Sequence, residues 1–147
     1  MASNTRFAVA IHTAGMLAFT RCMAVTSESI AQSVGTNPVV VRRIIGLLAK
    51  HGLVTVRKGQ NGGAVLSRPA DEITLDEIYH AVEDGPLFNV PALEASHPCR
   101  VGRHVGPVLN SIFESAEKGL MDRLRKVTLA QVIQKIGKKM KQEQCYG

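Results

Sequence analysis

The sequence has no tryptophan, and its aromatic residues are limited to two tyrosines and four phenylalanines. We therefore expect a mostly aliphatic, helical core. Its three cysteines, an odd number, do not make a disulfide framework in a chain of 147 residues, so we expect a reducing cytoplasmic setting. The apolar stretch at residues 7–19 is too short to span a bilayer, contains His12 and Thr13, and follows no basic leader. We expect neither an export signal nor a membrane span.

Motifs of common enzyme classes are also missing. The chain contains no phosphate-binding GxxxxGK loop, no His-Glu-x-x-His pair and no nucleophile elbow, so we expect no enzymatic activity. Its 18 lysines and arginines exceed its 12 aspartates and glutamates, which gives a net charge of +6. That excess favours a polyanionic partner. The length fits one domain with its own core.

The clearest pattern predicts two helices joined by a tight turn. Ala31 is small where the helices would touch, and Gly35 falls where the turn needs a positive φ. Asn37 is a suitable cap for the second helix, and Pro38 occupies its first helical position. Gly52 marks the end of that helix. These signals together predict a helix-turn-helix unit.

The second helix has two chemically different faces at the helical period. The predicted core face comprises Val41, Ile44, Ile45 and Leu48. The predicted outer face comprises Val39, Arg43, Gly46 and Lys50, flanked by Thr36, Val40 and Arg42. A solvent-facing valine beside two arginines suits a DNA major groove, where arginine reads guanine and an apolar group meets the thymine methyl.

Two short β-prone runs follow, at residues 53–58 and 64–67, and the five residues between them are GQNGG. This pattern predicts a winged helix with a polar tip. Residues 37–69 contain six lysines and arginines and no carboxylate. The alternative is an ordinary helical hairpin with a solvated basic face. The predicted DNA-binding residues are Ser27, Thr36, Asn37, Val39, Val40, Arg42, Arg43, Lys50, Arg57, Lys58, Gln60 and Asn61.

Residues 47–83, LLAKHGLVTVRKGQNGGAVLSRPADEITLDEIYHAVE, resemble the Rrf-two family of bacterial winged-helix transcription regulators. The shared features are a GxxGG wing, an Arg/Lys-Pro step and a helix of the form ItL.dI..AvE. The resemblance extends over roughly residues 5–127, with Ala64 replacing the usual aromatic residue. It implies a double-stranded DNA partner. The family includes sensors of iron–sulphur clusters, nitric oxide and cysteine metabolism.

Other segments are read from their periodicity. We expect a first helix over residues 5–22, ending near a packed Cys22, and a helix capped by Thr74. The buried stripe of the latter would be Leu75, Ile78, Ala81 and Val82. We expect a solvated face, rather than a catalytic or metal site, from Asp71, Glu72, Asp76, Glu77, Glu83 and Asp84.

The C-terminal part divides into a loop at residues 85–102, an amphipathic helix at 103–126, and a helix at 129–136 before a loose basic tail with an exposed Cys145. The resemblance implies that the long helix forms a homodimer, which suits a palindromic operator. Its packing on its own domain is the alternative. The predicted interface residues are Val105, Val108, Leu109, Ile112, Phe113, Ala116, Leu120 and Leu124.

Cys99 is the candidate sensor. The resemblance implies sensing through loop cysteines, but cluster-binding members have three there and this sequence has one. We therefore expect no iron–sulphur cluster, metal or other cofactor. Nearby cations and a helix N-terminus would favour a thiolate that responds to oxidants or electrophiles. The alternatives are a half-buried structural cysteine, or a mixed metal or cluster site that combines Cys99 with His12 and His97 or His104.

These observations predict a mostly α fold with a small β-hairpin wing. The expected units are a winged helix-turn-helix domain at 1–84, a sensor-like loop at 85–102, and a dimerisation region at 103–147. The expected function is that of a dimeric DNA-binding transcription regulator, with repression as the favoured mode. The remaining alternative is a winged-helix module that binds only protein, although the acid-free basic ribbon argues against it.

Overall fold

The computed structural model describes residues 3–21 and 23–146. The predicted fold class is confirmed, because helices dominate and the one sheet in the described residues is a two-stranded hairpin. The elements are α1 (Ser3–Phe19), α2 (Ser27–Val34), α3 (Pro38–Lys50), β1 (Val54–Arg57), β2 (Gly63–Leu66), a 3₁₀ turn (Ala70–Glu72), α4 (Leu75–Val82), α5 (Arg100–Arg125) and α6 (Leu129–Tyr146). Cys22 and the side chain of Cys145 lie outside what is described.

The core forms where α1 to α4 meet. Ile30 of α2, Ile44 and Leu48 of α3, and Ile78 of α4 are almost completely buried. Burial of such aliphatic side chains is the main favourable term in folding. The predicted buried faces of α3 and α4 are both confirmed. Their members are Val41, Ile44, Ile45, Leu48, Leu75, Ile78, Ala81 and Val82.

The turn between α2 and α3 has the predicted chemistry. Gly35 lies in the left-handed region at φ 79° and ψ 38°, and its N–H donates to the Ala31 carbonyl at 2.9 Å. Ala31 is buried at the helix contact. The Asn37 side chain accepts the Val40 N–H at 3.1 Å, and Pro38 is the first helical residue of α3. These contacts fix where α3 begins and how it leaves α2.

The wing is an antiparallel hairpin that is joined to the rest of the domain along one edge. Its register pairs Val54 with Leu66 and Arg57 with Gly63. Val25, just before α2, forms a bridge with Ala64 through two hydrogen bonds of 3.0 and 2.9 Å. A Cβ at Gly63 would lie 2.5 Å from the Val25 carbonyl oxygen, so glycine permits this close approach.

Several predicted boundaries differ from the structure. Helix α1 ends at Phe19, and α5 begins at Arg100 instead of residue 103. The prediction of a loose tail is wrong, because α6 continues from Leu129 to Tyr146. Gly137 resembles a helix stop, but the residues after it are mostly good helix formers. Helix α6 also packs on α1, where the Ile133 side chain lies close to Gly15.

The prediction of a fully solvated acidic face is wrong for two carboxylates. Asp76 and Glu83 are only 7% and 8% exposed, because α4 is covered by α1 and α5. The Asp76 carboxylate accepts a hydrogen bond from Arg125 Nε at 3.2 Å, and Glu83 lies 3.8 Å from an Arg6 nitrogen. Each covering helix thus supplies an arginine, as burial of a carboxylate requires.

The rest of the acidic segment is more accessible. Asp71, Glu72 and Asp84 are exposed, as expected. Glu77 is half-buried, and one of its carboxylate oxygens accepts the Thr74 N–H at 3.0 Å. The other accepts a hydrogen bond from Arg68 at 2.7 Å. This side chain therefore both caps α4 and links it to the end of the wing.

Backbone hydrogen bonds join α4 to the turn between α5 and α6. The Leu75 N–H donates to the Val127 carbonyl at 2.9 Å, and the Leu129 N–H donates to the Ile73 carbonyl at 2.8 Å. Leu129 is fully buried. Together with the Asp76–Arg125 pair, these contacts attach the C-terminal end of α5 to the winged domain.

Substitution of Asp76 by asparagine tests this attachment. Burial favours a higher pKa for Asp76, but hydrogen bonds from Thr74 and Arg125 outweigh it and hold the pKa below its ordinary value. A lowered folded-state pKa gives stability that is present above the unfolded-state value, about 4, and is lost as the pH falls through the folded-state value. We expect Asp76→Asn to lower the free energy of unfolding at pH 7 by about 1–2 kcal/mol.

Denaturant unfolding at a series of pH values measures this effect, with Asp84→Asn at an exposed position as the control. The difference between Asp76→Asn and wild type should shrink as the pH is lowered below about 4. A difference that does not change with pH would contradict the assigned role of the Asp76 charge.

Candidate nucleic-acid interface

The outer face of α3 carries the arrangement predicted for it. Val39 is 61% exposed, and Arg43, Gly46 and Lys50 are also exposed. They lie opposite the buried stripe, so the core fixes their direction. Val40 is the exception, because it is half-buried and packs against the core.

The residues around the start of α3 are less accessible than the outer face itself. Thr36 is half-buried, and its N–H donates to the Ala31 carbonyl at 3.0 Å. Asn37 is exposed, but its side-chain oxygen accepts the N–H of Val40 as the N-cap of α3. Ser27 is half-buried in the first turn of α2, which Thr26 caps.

Arg42 is not an isolated cation. Its guanidinium forms an ion pair with the carboxylate of Glu28 in the first turn of α2, and both side chains are exposed. Glu28 was not predicted as a site residue, yet it is the only acidic residue among residues 1–70. A hydrogen bond from its own backbone, and then the Arg42 guanidinium, lower the pKa of Glu28. It is therefore ionised at neutral pH.

The wing presents a basic, polar tip. Arg57, Lys58, Gln60 and Asn61 are exposed. The bend depends on Gly62, whose N–H donates to the Gly59 carbonyl at 3.0 Å. A Cβ at Gly62 would lie only 2.3 Å from the Arg57 carbonyl oxygen. The tip is therefore a tight turn that no other residue type fits at this position.

The candidate sensor lies at the start of α5. Cys99 is the N-cap residue, and its Sγ accepts the Gly102 N–H at 3.5 Å. The Cys99 N–H donates to His97 Nδ1 at 3.2 Å. The side chain is exposed, which differs from the half-buried structural alternative. Arg100 and Arg103 are exposed nearby.

Within the described residues, the chain does not bring the donors of the alternative metal site together. His12 Nε2 lies 2.9 Å from Ser33 Oγ of α2. In the described part of the chain, no three His, Cys, Asp or Glu side chains form a group that could hold a metal ion. The expectation of no cofactor stays a prediction.

Helix α5 exposes an apolar strip. None of its residues is buried, and Val108 and Ile112 are 58% and 55% exposed. One edge of the strip is half-buried, and the centroid of the Phe113 ring lies 4.8 Å from the centroid of the Phe88 ring in the preceding loop. Packing within the same chain therefore accounts for one side of the helix. The exposed members of the predicted interface are Val108, Ile112, Ala116 and Leu120, and the half-buried ones are Val105, Leu109, Phe113 and Leu124.

Among the residues that the structure describes, no helix is both long enough and apolar enough to cross a membrane.

Comparison with known proteins places this architecture in a family. The model of the Rrf2 family, described as an iron-dependent transcriptional regulator, matches residues 3–135. YwnA of Bacillus subtilis (strain 168), whose name assigns it to the HTH-type transcriptional regulators, is 40% identical over 132 residues. That alignment covers 88% of this chain and 96% of YwnA.

Two solved structures share the fold. IscR of T. potens has a TM-score of 0.68 and 23% identity, and the match covers 90% of this chain and 85% of IscR. The oxidized form of Staphylococcus aureus CymR has a TM-score of 0.67 and 20% identity, with 90% and 96% covered. The chain belongs to the Rrf2 family of winged-helix transcriptional regulators, as its sequence predicts.

Proposed function

We propose that the protein is a sequence-specific regulator that binds double-stranded DNA as a homodimer. The observation that carries this proposal is the outer face of α3. It presents an exposed Val39 beside Arg43 and Lys50, and residues 37–69 contain no carboxylate. Exposed apolar and cationic side chains along one face of a helix match base edges in a major groove.

The helix and the wing contribute in different ways. Arg43 and Val39 of α3 face the bases, where a guanidinium reads guanine and a valine meets a thymine methyl. Lys58 and the polar residues of the wing tip contact phosphates and sugars, which position the protein without reading sequence. The buried face of α3 is anchored in the core, and this fixes the direction in which Val39 and Arg43 point when the protein binds DNA.

The occupant of the exposed α5 strip is a second copy of the chain. A helix of 26 residues is about 39 Å long, and a stripe such as Val108 and Ile112 usually buries against another helix. Two such helices packed about a two-fold axis bring two α3 helices to one palindromic operator. A dimer bound in this way occludes the DNA beneath it, so repression is the proposed mode.

Cys99 is the proposed site of the regulatory signal. It is exposed at the N-terminus of α5, and the other end of this helix is attached to the winged domain through Arg125 and Asp76. Oxidation or alkylation of Cys99 changes its size and charge. The resulting tilt of α5 moves both reading helices away from their half-sites.

Selection of bound duplexes from a random pool, followed by gel shifts, tests the proposed function. The expected result is enrichment of an inverted repeat that is retarded at lower protein concentration than a shuffled duplex. Equal retardation of both duplexes, or no retardation, would contradict sequence-specific binding.

Two substitutions distinguish reading from positioning. We expect Arg43→Ala to weaken binding to the selected duplex by about 1–3 kcal/mol and to relax the sequence preference of the protein. Lys58→Ala should weaken binding to the selected and to the shuffled duplex by the same factor. It should also reduce the slope of log K against log salt by about 1. Affinities measured by fluorescence anisotropy at several salt concentrations provide both quantities. Unchanged binding of both duplexes by Arg43→Ala would show that the assigned orientation of α3 is wrong.

The proposed dimer depends on the exposed strip of α5. We expect Ile112→Glu to give a monomer, since it places an uncompensated carboxylate in an apolar contact. Asn110→Glu, an exposed position on a different face of α5, is the matched control and should remain dimeric. Sedimentation at micromolar concentration reports the masses. A monomeric wild type, or a dimeric Ile112→Glu, would argue against this interface.

Regulation through Cys99 predicts that a thiol-alkylating reagent lowers operator affinity of the wild type. Cys99→Ser should bind the operator and be insensitive to the reagent. Gel shifts with and without the reagent, with Cys145→Ser as the control, compare the responses. An equal loss of affinity in wild type and Cys99→Ser would remove Cys99 from the mechanism. An absorbance band in anaerobically purified protein would indicate the His12-containing site instead.

A further inference from the structure

Glu28 occupies an unusual position for a carboxylate. The first 70 residues contain every predicted DNA contact, and Glu28 is their only aspartate or glutamate. It lies in the first turn of α2 and is exposed. A carboxylate on a surface that meets phosphates opposes binding through electrostatic repulsion. A carboxylate at position 28 therefore lowers DNA affinity unless it makes a contact that compensates for this repulsion.

The partner of Glu28 is a residue of the reading helix. One carboxylate oxygen contacts one terminal nitrogen of Arg42 on α3. The two helices are held together by the turn at Gly35 and by the buried contact at Ala31, so the backbone at Glu28 has a fixed position relative to α3. A guanidinium has five N–H donors, and one contact leaves the others available.

The pair changes how Arg42 can meet DNA. A free arginine on an exposed helix face searches many rotamers and contacts any nearby phosphate, which strengthens binding to all sequences alike. An arginine bonded to a carboxylate has its charge partly neutralised and its guanidinium plane restricted. It loses less conformational entropy when it docks in one orientation.

We propose that Glu28 is a positioning residue that sets DNA specificity by holding Arg42 ready for a base edge and away from phosphates. This inference rests on the proposed function, since it requires α3 to read DNA. The contribution of the pair to the fold itself is small, because exposed ion pairs stabilise proteins little. The effect of Glu28 is therefore on binding and not on stability.

The test compares Glu28→Gln, Arg42→Gln and the double variant on the selected duplex and on a shuffled duplex of equal composition. We expect Glu28→Gln to bind the shuffled duplex more tightly, and the ratio of specific to nonspecific affinity to fall about tenfold. The salt slope on the shuffled duplex should steepen by about 0.9, as expected for one new phosphate contact. In the Arg42→Gln background, Glu28→Gln should have no further effect on the ratio, because the two residues act together.

Asp84→Asn is the matched control, since it removes one exposed carboxylate outside the reading unit. It should leave the specificity ratio unchanged, and circular dichroism should show the same fold for all variants. If Glu28→Gln had the same ratio of specific to nonspecific affinity as the wild type, the inference would be overturned while the proposed function stands. The inference would also be overturned if Glu28→Gln lowered this affinity ratio equally in the wild-type and in the Arg42→Gln background, since Glu28 would then act without Arg42. A wild type with no sequence preference would overturn both.

Discussion

The left-handed turn at Gly35 is the constraint on which the proposed DNA-reading surface of α3 depends. With φ at 79°, this residue lets the chain reverse between α2 and α3 while its N–H stays bonded to Ala31. Any residue other than glycine is strained at this φ, so the angle between α2 and α3 depends on a glycine at position 35. That angle determines which side of α3 is buried on Ile30 and which side faces solvent.

A second set of contacts connects this reading surface to the rest of the chain. The Asp76–Arg125 pair and the backbone bonds of Leu75 and Leu129 attach α4 to the far end of α5. Nearer the middle of α5, one carboxylate oxygen of Glu117 accepts the N–H groups of Leu87 and Phe88 at 2.7 and 3.2 Å. The loop before α5 is therefore bonded to α5 itself.

These attachments bear on the proposed roles of α5 in assembly and in signalling. The exposed apolar strip and Cys99 lie on α5 or at its start, and the winged domain is fixed to its other end. In the proposed dimer, a rotation of α5 against the α5 of the second copy would therefore carry the wing with it. Packed interfaces of this kind change between discrete arrangements, which is how small local changes reach a distant site.

Local signals made the reading unit predictable from the sequence. Gly35, Asn37 and Pro38 each act on their immediate neighbours, and the period of α3 separates its core face from its outer face. The GQNGG segment likewise specifies a tight wing tip. Such features depend on residues close in the chain, so no tertiary knowledge is needed to recognise them.

Contacts between distant segments were not predictable. Arg125 reaches Asp76 across 49 positions, and Arg42 reaches Glu28 across 14. No sequence spacing rule identifies such partners, and for this reason Asp76 was expected to be solvated and Glu28 was missed. The length of α6 was also underestimated, because packing against α1 supports a helix that Gly137 alone would weaken. The dimer, the operator and the role of Cys99 stay predictions.

Hydroxyl-radical footprinting of the selected duplex tests the central claim, that two α3 helices read one operator together. We expect two protected stretches on one side of the duplex. Their centres should be separated by one helical turn, about 34–36 Å, or a multiple of it. A single protected stretch of half-site size at saturating protein would show that two α3 helices do not bind one operator together.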